Sequence, residues 1–201
     1  MKAKEVDKRM IKRERIKGFF LDAAKKIITN EGVEKVTIRK VAESAGYSYA
    51  TIYNYFTDLN ELLWETKSMM VLDLIEIVKS RIDIAKYDVE GIKNIFKIYI
   101  SYYFDNPNIF RFFYLYQLIK PENKHGTAVE EPNYDEIWAD TFKEFINKRI
   151  ISIEDLEVIA KIFIYSMHGM MTLSFSYNME LTEENVYRDI EIIVDYLLKK
   201  N

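Results

Sequence analysis

Between positions 47 and 54 the chain reads Tyr-Ser-Tyr-Ala-Thr-Ile-Tyr-Asn, dense in hydroxyl and amide groups and empty of charge. Such side chains suit hydrogen bonding to base edges and packing on a thymine methyl, and an alanine permits close approach. Upstream, Thr37 adds a hydroxyl, while Arg39 and Lys40 add positive charge suited to phosphates. Tyr47, Ser48, Tyr49, Ala50, Thr51 and Asn54 are therefore the candidate base-facing set. Thr37, Arg39, Lys40 and Tyr53 are candidates for the nucleic-acid backbone. The plain alternative is that Tyr53 and Tyr55 only fill a small core.

Other chemistry is sparse. The chain has no Cys and only two His, His125 and His168, so thiolate sites and a two-His helical metal site with i, i+4 spacing are excluded. No GxGxxG, P-loop, HExxH, paired-aspartate or nucleophile-elbow pattern occurs, which argues against an enzyme and calls for no cofactor or metal. The later chain is instead aromatic. Phe96, Tyr99, Tyr103, Phe113, Tyr116, Trp138, Phe142 and Met171 can line an apolar cavity, with Gln117, Ser166 and His168 as interior polar groups. Ordinary core packing is the competing reading for each of them, and a hydrogen-bonded core residue is the competing reading for His168.

The elements that must position these groups are helices. Ile16, Phe19, Phe20, Ala23, Ala24, Ile27 and Ile28 recur on one helical face, opposite the basic residues Lys12, Arg13, Arg15, Lys17, Lys25 and Lys26. Gly32 offers a left-handed stop. Thr37 caps a short helix with Ile38, Val41, Ala42 and Ala45 inward, and Gly46 permits a sharp turn. Ser48 caps a third helix over 49–56, anchored by Ile52 and Phe56. Asp58 and Glu61 form a capping box that opens a long fourth helix to about Ile84. Further helices are expected at about 89–105, 108–119, 134–150, 154–179 and 182–199, with Glu122–Pro132 as the one long loop. The fold class is all-α: a three-helix helix-turn-helix domain over 1–57 and a larger helical body over 58–201.

The segment VTIRKVAESAGYSYATIYNYFTDLNELLWE resembles the DNA-binding domain of the TetR family over about residues 10–65. The shared pattern is an apolar-Thr-x-Arg opening, an Ala-Gly turn, a Thr-Ile-Tyr-x-Tyr-Phe helix and an acidic-Leu-Leu start to the fourth. The resemblance implies Thr37 and Arg39 at the groove edge and Tyr47, Tyr49, Thr51, Tyr53 and Tyr55 on a recognition helix. It also implies a dimer. Two departures stand out: the recognition helix has no Lys or Arg for guanine, and Leu59 replaces the phosphate-binding Lys of many relatives. Affinity then falls to the basic N-terminal arm.

Charge follows the same division. Residues 1–56 hold 13 Lys and Arg against 7 Asp and Glu, leaving 16 against 25 for the rest of a chain whose net charge is −3. A basic head on an acidic body suits a polyanion at the head alone, although a solvated helix face would read similarly. Residues 162–179 lack Asp, Glu, Lys and Arg, yet Ser166, His168, Thr172, Ser174, Ser176 and Asn178 are too polar for a lone span. A helix buried within protein on most sides is expected there, and no membrane. Two stripes, Ile159-Phe163-Met167-Met170-Ser174 and Val186-Ile190-Ile193-Val194-Leu197, point to a homodimer through the last two helices. The functional expectation is a cytoplasmic repressor, released from a double-stranded DNA operator by a small apolar or aromatic effector. The competing expectation is a DNA-associated adaptor or structural protein whose body binds another protein.

Overall fold

The computed structural model describes residues 2–81, 88–121, 143–176 and 181–198, and of residues 2–7 only the backbone. Helix α1 (Lys2–Glu31) buries Phe20, Ala23, Ala24, Ile27 and Ile28, the spacing of one face. It stops at Gly32, whose φ of 93° and ψ of 159° are extended at positive φ rather than the left-handed helical turn expected. That backbone conformation strains any residue with a Cβ, whereas the nearest atom to one, a carboxylate oxygen of the exposed Glu34, could swing aside, so glycine serves the backbone here. A 3₁₀ turn (Val33–Lys35) then buries Val33.

Helix α2 (Ile38–Ala45) is capped by Thr37, whose Oγ1 accepts from the Lys40 amide at 3.2 Å. Gly46 ends it in the left-handed region at φ 78° and ψ 25°. Its amide donates to Glu43 O at 3.1 Å and that of Tyr47 to Ala42 O at 2.9 Å, the paired bonds of a Schellman stop. Helix α3 (Tyr49–Ile52) is capped by Ser48 and is four residues long, shorter than the 49–56 expected. The amides of Asn54 and Tyr55 turn to the carbonyls three residues back, at 3.1 and 2.9 Å, so the chain tightens after Ile52.

Helix α4 (Leu59–Arg81) follows. Asp58 Oδ1 accepts from the Glu61 amide at 2.8 Å, one half of a capping box. The Glu61 carboxylate completes it one residue early, accepting from the Thr57 amide at 2.5 Å and hydroxyl at 2.7 Å. Leu62, Leu63, Met70, Val71 and Leu74 are buried. Helix α5 (Val89–Asp105) is capped by Asp88. Helix α6 (Pro107–Phe110) passes into a π-helical turn (Arg111–Leu115) closed by the Tyr116 amide on Arg111 O at 2.9 Å. That wider turn ends the helix before the expected position 119. Of the expected 134–150 helix, 143–147 is helical and 134–142 lies outside the described residues. Helices α7 (Leu156–Phe175) and α8 (Glu183–Leu198) close the chain, and the described residues contain no strand. The architecture is all-α.

Contacts divide the chain into two compact units, Met1–Asp73 with Asn108–Pro132, and Leu74–Pro107 with Asn133–Asn201. This division falls within α4. In the first unit, Lys17 meets Glu65 at 2.6 Å, both largely buried, and tethers α1 to α4. Burial raises the Glu65 carboxyl above its ordinary range, against the lowering effect of Lys17. The Asn60 amide clamps the Ile119 backbone in both directions at 2.6 and 3.1 Å. In the second unit, α8 packs on α5 and α7. Val186, Ile190, Val194 and Leu198 on α8 are buried, as are Ile92, Phe96, Ile100 and Tyr103 on α5 and Phe163, Met167 and Met171 on α7. The buried Lys93 joins Glu90 and Asp195 at 2.8 Å each, and these bonds raise its ammonium pKa.

Two sequence expectations change here. Phe163, Met167, Val186, Ile190 and Val194, read as a dimer stripe, are buried inside the chain itself. The exposed apolar stripe is a different one: Val158, Ile162, Tyr165 and Leu173 on α7, with Ile192 and Tyr196 on α8. Helix α7 is also less enclosed than expected, burying only Phe163, Met167 and Met171. It is long and apolar enough to cross a membrane by length and composition alone. Both of its faces are apolar, so periodicity could not say which one the chain covers.

Candidate nucleic-acid interface

The head is built on Phe20. Its ring lies 5.1 Å from that of Tyr47, 5.5 Å from Tyr55 and 6.3 Å from Phe56, while Ile52 is fully buried beside them. Tyr47 and Tyr55 are thus half-buried supports of α3, with Phe19 stacked 6.4 Å from Tyr47. Helical spacing turns the other tyrosines outward. Tyr49 is 53% exposed and Tyr53 45%.

These two rings meet edge to face at 5.2 Å, and their hydroxyls share a 2.8 Å hydrogen bond. That bond holds the Tyr53 hydroxyl above the ordinary tyrosine range. Ser48 and Thr51 hydroxyls pair at 2.7 Å. Ser48, Ala50 and Asn54 are exposed and Thr51 half-buried. Thr37, Ile38, Arg39, Glu43, Tyr47, Ser48, Tyr49 and Tyr53 line an open concavity of about 790 Å³. Arg39 enters it hydrogen-bonded to Glu43 at 3.0 Å, and Lys40 turns to Glu31 at 2.5 Å. The candidate set from sequence thus falls on one small unit, presenting hydroxyls, an amide and one guanidinium. What sequence reasoning missed is the pairing of Arg39 and Lys40 with acids; Glu43, four residues from Arg39, was the available signal.

Residues 20–66 match the family model described as bacterial regulatory proteins, tetR family. Over these residues the head is of the TetR-family type. No curated protein sequence matches the chain. Solved TetR-type structures share its fold along nearly the whole length. A Mesorhizobium loti protein assigned to the TetR-family transcriptional regulators aligns with a TM-score of 0.68 at 17% identity, covering 94% of this chain and 97% of that one. Thermus thermophilus FadR, a TetR-family transcriptional repressor in complex with lauroyl-CoA, gives 0.63 at 18%, covering 90% and 93%. RolR in complex with resorcinol gives 0.62 at 15%, covering 94% and 90%. At these identities the likeness is one of fold. The head is the DNA-binding helix-turn-helix of a transcriptional regulator.

The candidate effector residues divide between the two units. Phe96, Tyr99, Tyr103, His168 and Met171 lie in the second. Phe96 lies 5.0 Å from Phe163, and Tyr99 4.9 Å from Tyr103. The Tyr99 hydroxyl and His168 Nε2 form a 3.1 Å hydrogen bond. Burial pulls the His168 imidazole down to about 4, so it is neutral at pH 7. Phe113 is buried in the first unit, against Phe112. Tyr116 and Gln117 are exposed there, not interior, because the chain leaves helical geometry after Leu115. Trp138 and Phe142 lie outside the described residues.

Proposed function

We propose that this chain is a repressor that binds a near-palindromic duplex as a homodimer and leaves it when a small apolar or aromatic effector binds. The observation that carries the DNA half is the outward Tyr49–Tyr53 pair beside Ser48, Ala50 and Asn54, and on this pairing we move Tyr53 from the backbone set expected from the sequence to the base-facing set. A recognition helix offers such N-terminal residues to base edges in the major groove. Thr37, Arg39 and Tyr47 line the same concavity, and we assign them, with Lys40 and Thr51 nearby in the chain, to phosphates and to support. Without a cation on α3, base preference rests on hydroxyls, the Asn54 amide and apolar contact, which favours A·T pairs.

Dimerisation through α7 and α8 is supported by the exposed stripe of Val158, Ile162, Tyr165, Leu173, Ile192 and Tyr196. Two copies would bring two heads to successive major-groove faces. The effector half rests on Tyr99 and His168, a neutral polar pair among Phe96, Tyr103 and Met171. Lauroyl-CoA and resorcinol, bound by two proteins of this fold, bracket the chemistry we propose. Release would work through α4, tilting the heads out of register, for a coupling of about 1–3 kcal/mol. We further propose a non-enzymatic, cytoplasmic protein that divides functionally into a reading head over 1–57 and an effector and dimerisation body over 58–201.

Selection from a randomised duplex pool at low salt tests the reading. Enrichment of an inverted repeat, bound at two chains per duplex, is the expected outcome. No enrichment of any duplex contradicts it. A screen of apolar and aromatic compounds that never displaces the selected duplex contradicts the effector half alone. An adaptor would use the same exposed stripe for a different protein, and a monomer in solution would favour that reading.

A further inference from the structure

The concavity beside α3 is an unexpected place to receive a polyanion. Of the residues that line it, Arg39 is the one cation and Glu43 the one acid, so its wall is formally neutral. The two are bonded. Arg39 Nε donates to a Glu43 carboxylate oxygen at 3.0 Å, which engages one of the five N–H groups of the guanidinium. This pair does little for the fold. The side chains are 81% and 66% exposed, and an ion pair so open to water contributes little to stability. Their order along α2 is also the unfavourable one. Arg39 stands in the first turn, at the positive end of the helix dipole, and Glu43 lies toward the negative end. Stability therefore does not account for a carboxylate on this wall.

We infer that Glu43 is a built-in competitor for the DNA backbone: it holds Arg39 in the free head, and Arg39 exchanges it for a phosphate when a duplex enters. The competitor presupposes the DNA-binding reading above and sets how strongly that site grips. Carboxylate and phosphate oxygens are the same class of acceptor for a guanidinium, and a weak exposed pair can be exchanged at small cost. The exchange also cancels counterions. An unpaired arginine releases a cation from the duplex, whereas here the vacated carboxylate takes one up again. Glu43 thus limits the backbone share of affinity. Phosphates carry no sequence, so the limit applies to every duplex alike, and the contacts of α3 to bases weigh more in what remains.

Binding of the full-length protein to the selected duplex and to an unrelated one, each across a salt series, tests the exchange. Glu43→Gln should bind both duplexes more tightly, by about two- to fivefold per head at low salt, the range an exposed pair is worth. The slope of log K on log salt should steepen by up to about 0.9 per head. Asp22→Asn removes the same charge from an exposed position of α1 that does not line the concavity, and should leave affinity and slope near wild type. In an Arg39→Gln background, Glu43→Gln should gain much less, because no cation is left to free. Urea midpoints should match wild type throughout. Unchanged or weaker binding by Glu43→Gln overturns the competitor. So does a gain confined to the selected duplex, which would place Glu43 on a base. An equal gain in Asp22→Asn, or a full gain in the Arg39→Gln background, overturns it as well, reducing the effect to net charge or to plain repulsion of phosphate. Wild-type protein that binds no duplex is a different failure, that of the DNA reading itself.

Discussion

Tyrosine serves two opposite purposes in the two units of this molecule. In the head, Tyr49 and Tyr53 stand half in solvent and bond to each other. In the second unit, Tyr103 is completely buried and Tyr99 nearly so, their rings 4.9 Å apart and the Tyr99 hydroxyl on His168. The same side chain therefore faces solvent in one place and the interior in the other. The exposed hydroxyls remain open to water or a partner on their outer side, whereas the buried Tyr99 hydroxyl is held within the fold by His168. What separates the two is packing, and packing is what substitutions can probe.

The largest expected effect is on the buried side. Tyr103→Ala should lower unfolding free energy by about 3–5 kcal/mol, as for other large aromatic truncations, whereas Tyr53→Phe should stay within about 0.5 kcal/mol. Urea denaturation measures both. Equal losses would erase the contrast.

A pH effect comes next. The folded His168 imidazole titrates near 4 against an ordinary 6.5, because burial disfavours its charged form. Between those values the unfolded chain holds the proton and the folded chain does not. Stability therefore rises with pH across this window, and up to roughly 3 kcal/mol is lost as pH falls from about 6.5 to about 4. His168→Gln should flatten that part of the profile. An identical pH profile in the variant would mean that His168 is not the group responsible.

The head was legible in the sequence for concrete reasons. Thr37, Gly46 and Ser48 mark a cap, a positive-φ stop and a second cap, and each side chain or backbone does what its type predicts. The apolar period from Phe20 to Ile28 fixes the inward face of α1. Less was legible where local signals compete. The backbone after Ile52 tightens into i+3 bonds, which no residue type there announces, and Glu61 reaches Thr57 in place of the expected box partner. In α7 the buried stripe and the exposed stripe are both apolar, so the covered face could be known only from the packing against α8. Aromatic content alone likewise could not separate Phe113 and Tyr116 from the group around Tyr99.

The smallest expected effect lies back in the head. Replacing thymine by uracil in the selected half-site removes only a methyl group, worth about 0.8 kcal/mol or roughly fourfold in affinity. The loss should appear at the positions facing Ala50 and Tyr49 and nowhere else. No effect at any position would remove apolar contact from the account of base preference.

The most direct measurement is the affinity of Tyr49→Ala/Tyr53→Ala for the selected duplex and for unrelated DNA, alongside its unfolding curve. The expected result is wild-type stability, undiminished binding to unrelated DNA, and at least a tenfold loss on the selected site, as one base-reading contact is worth about 1–3 kcal/mol. Full retention of site preference by this stable variant would contradict the claim that the outward tyrosines of α3 meet the bases.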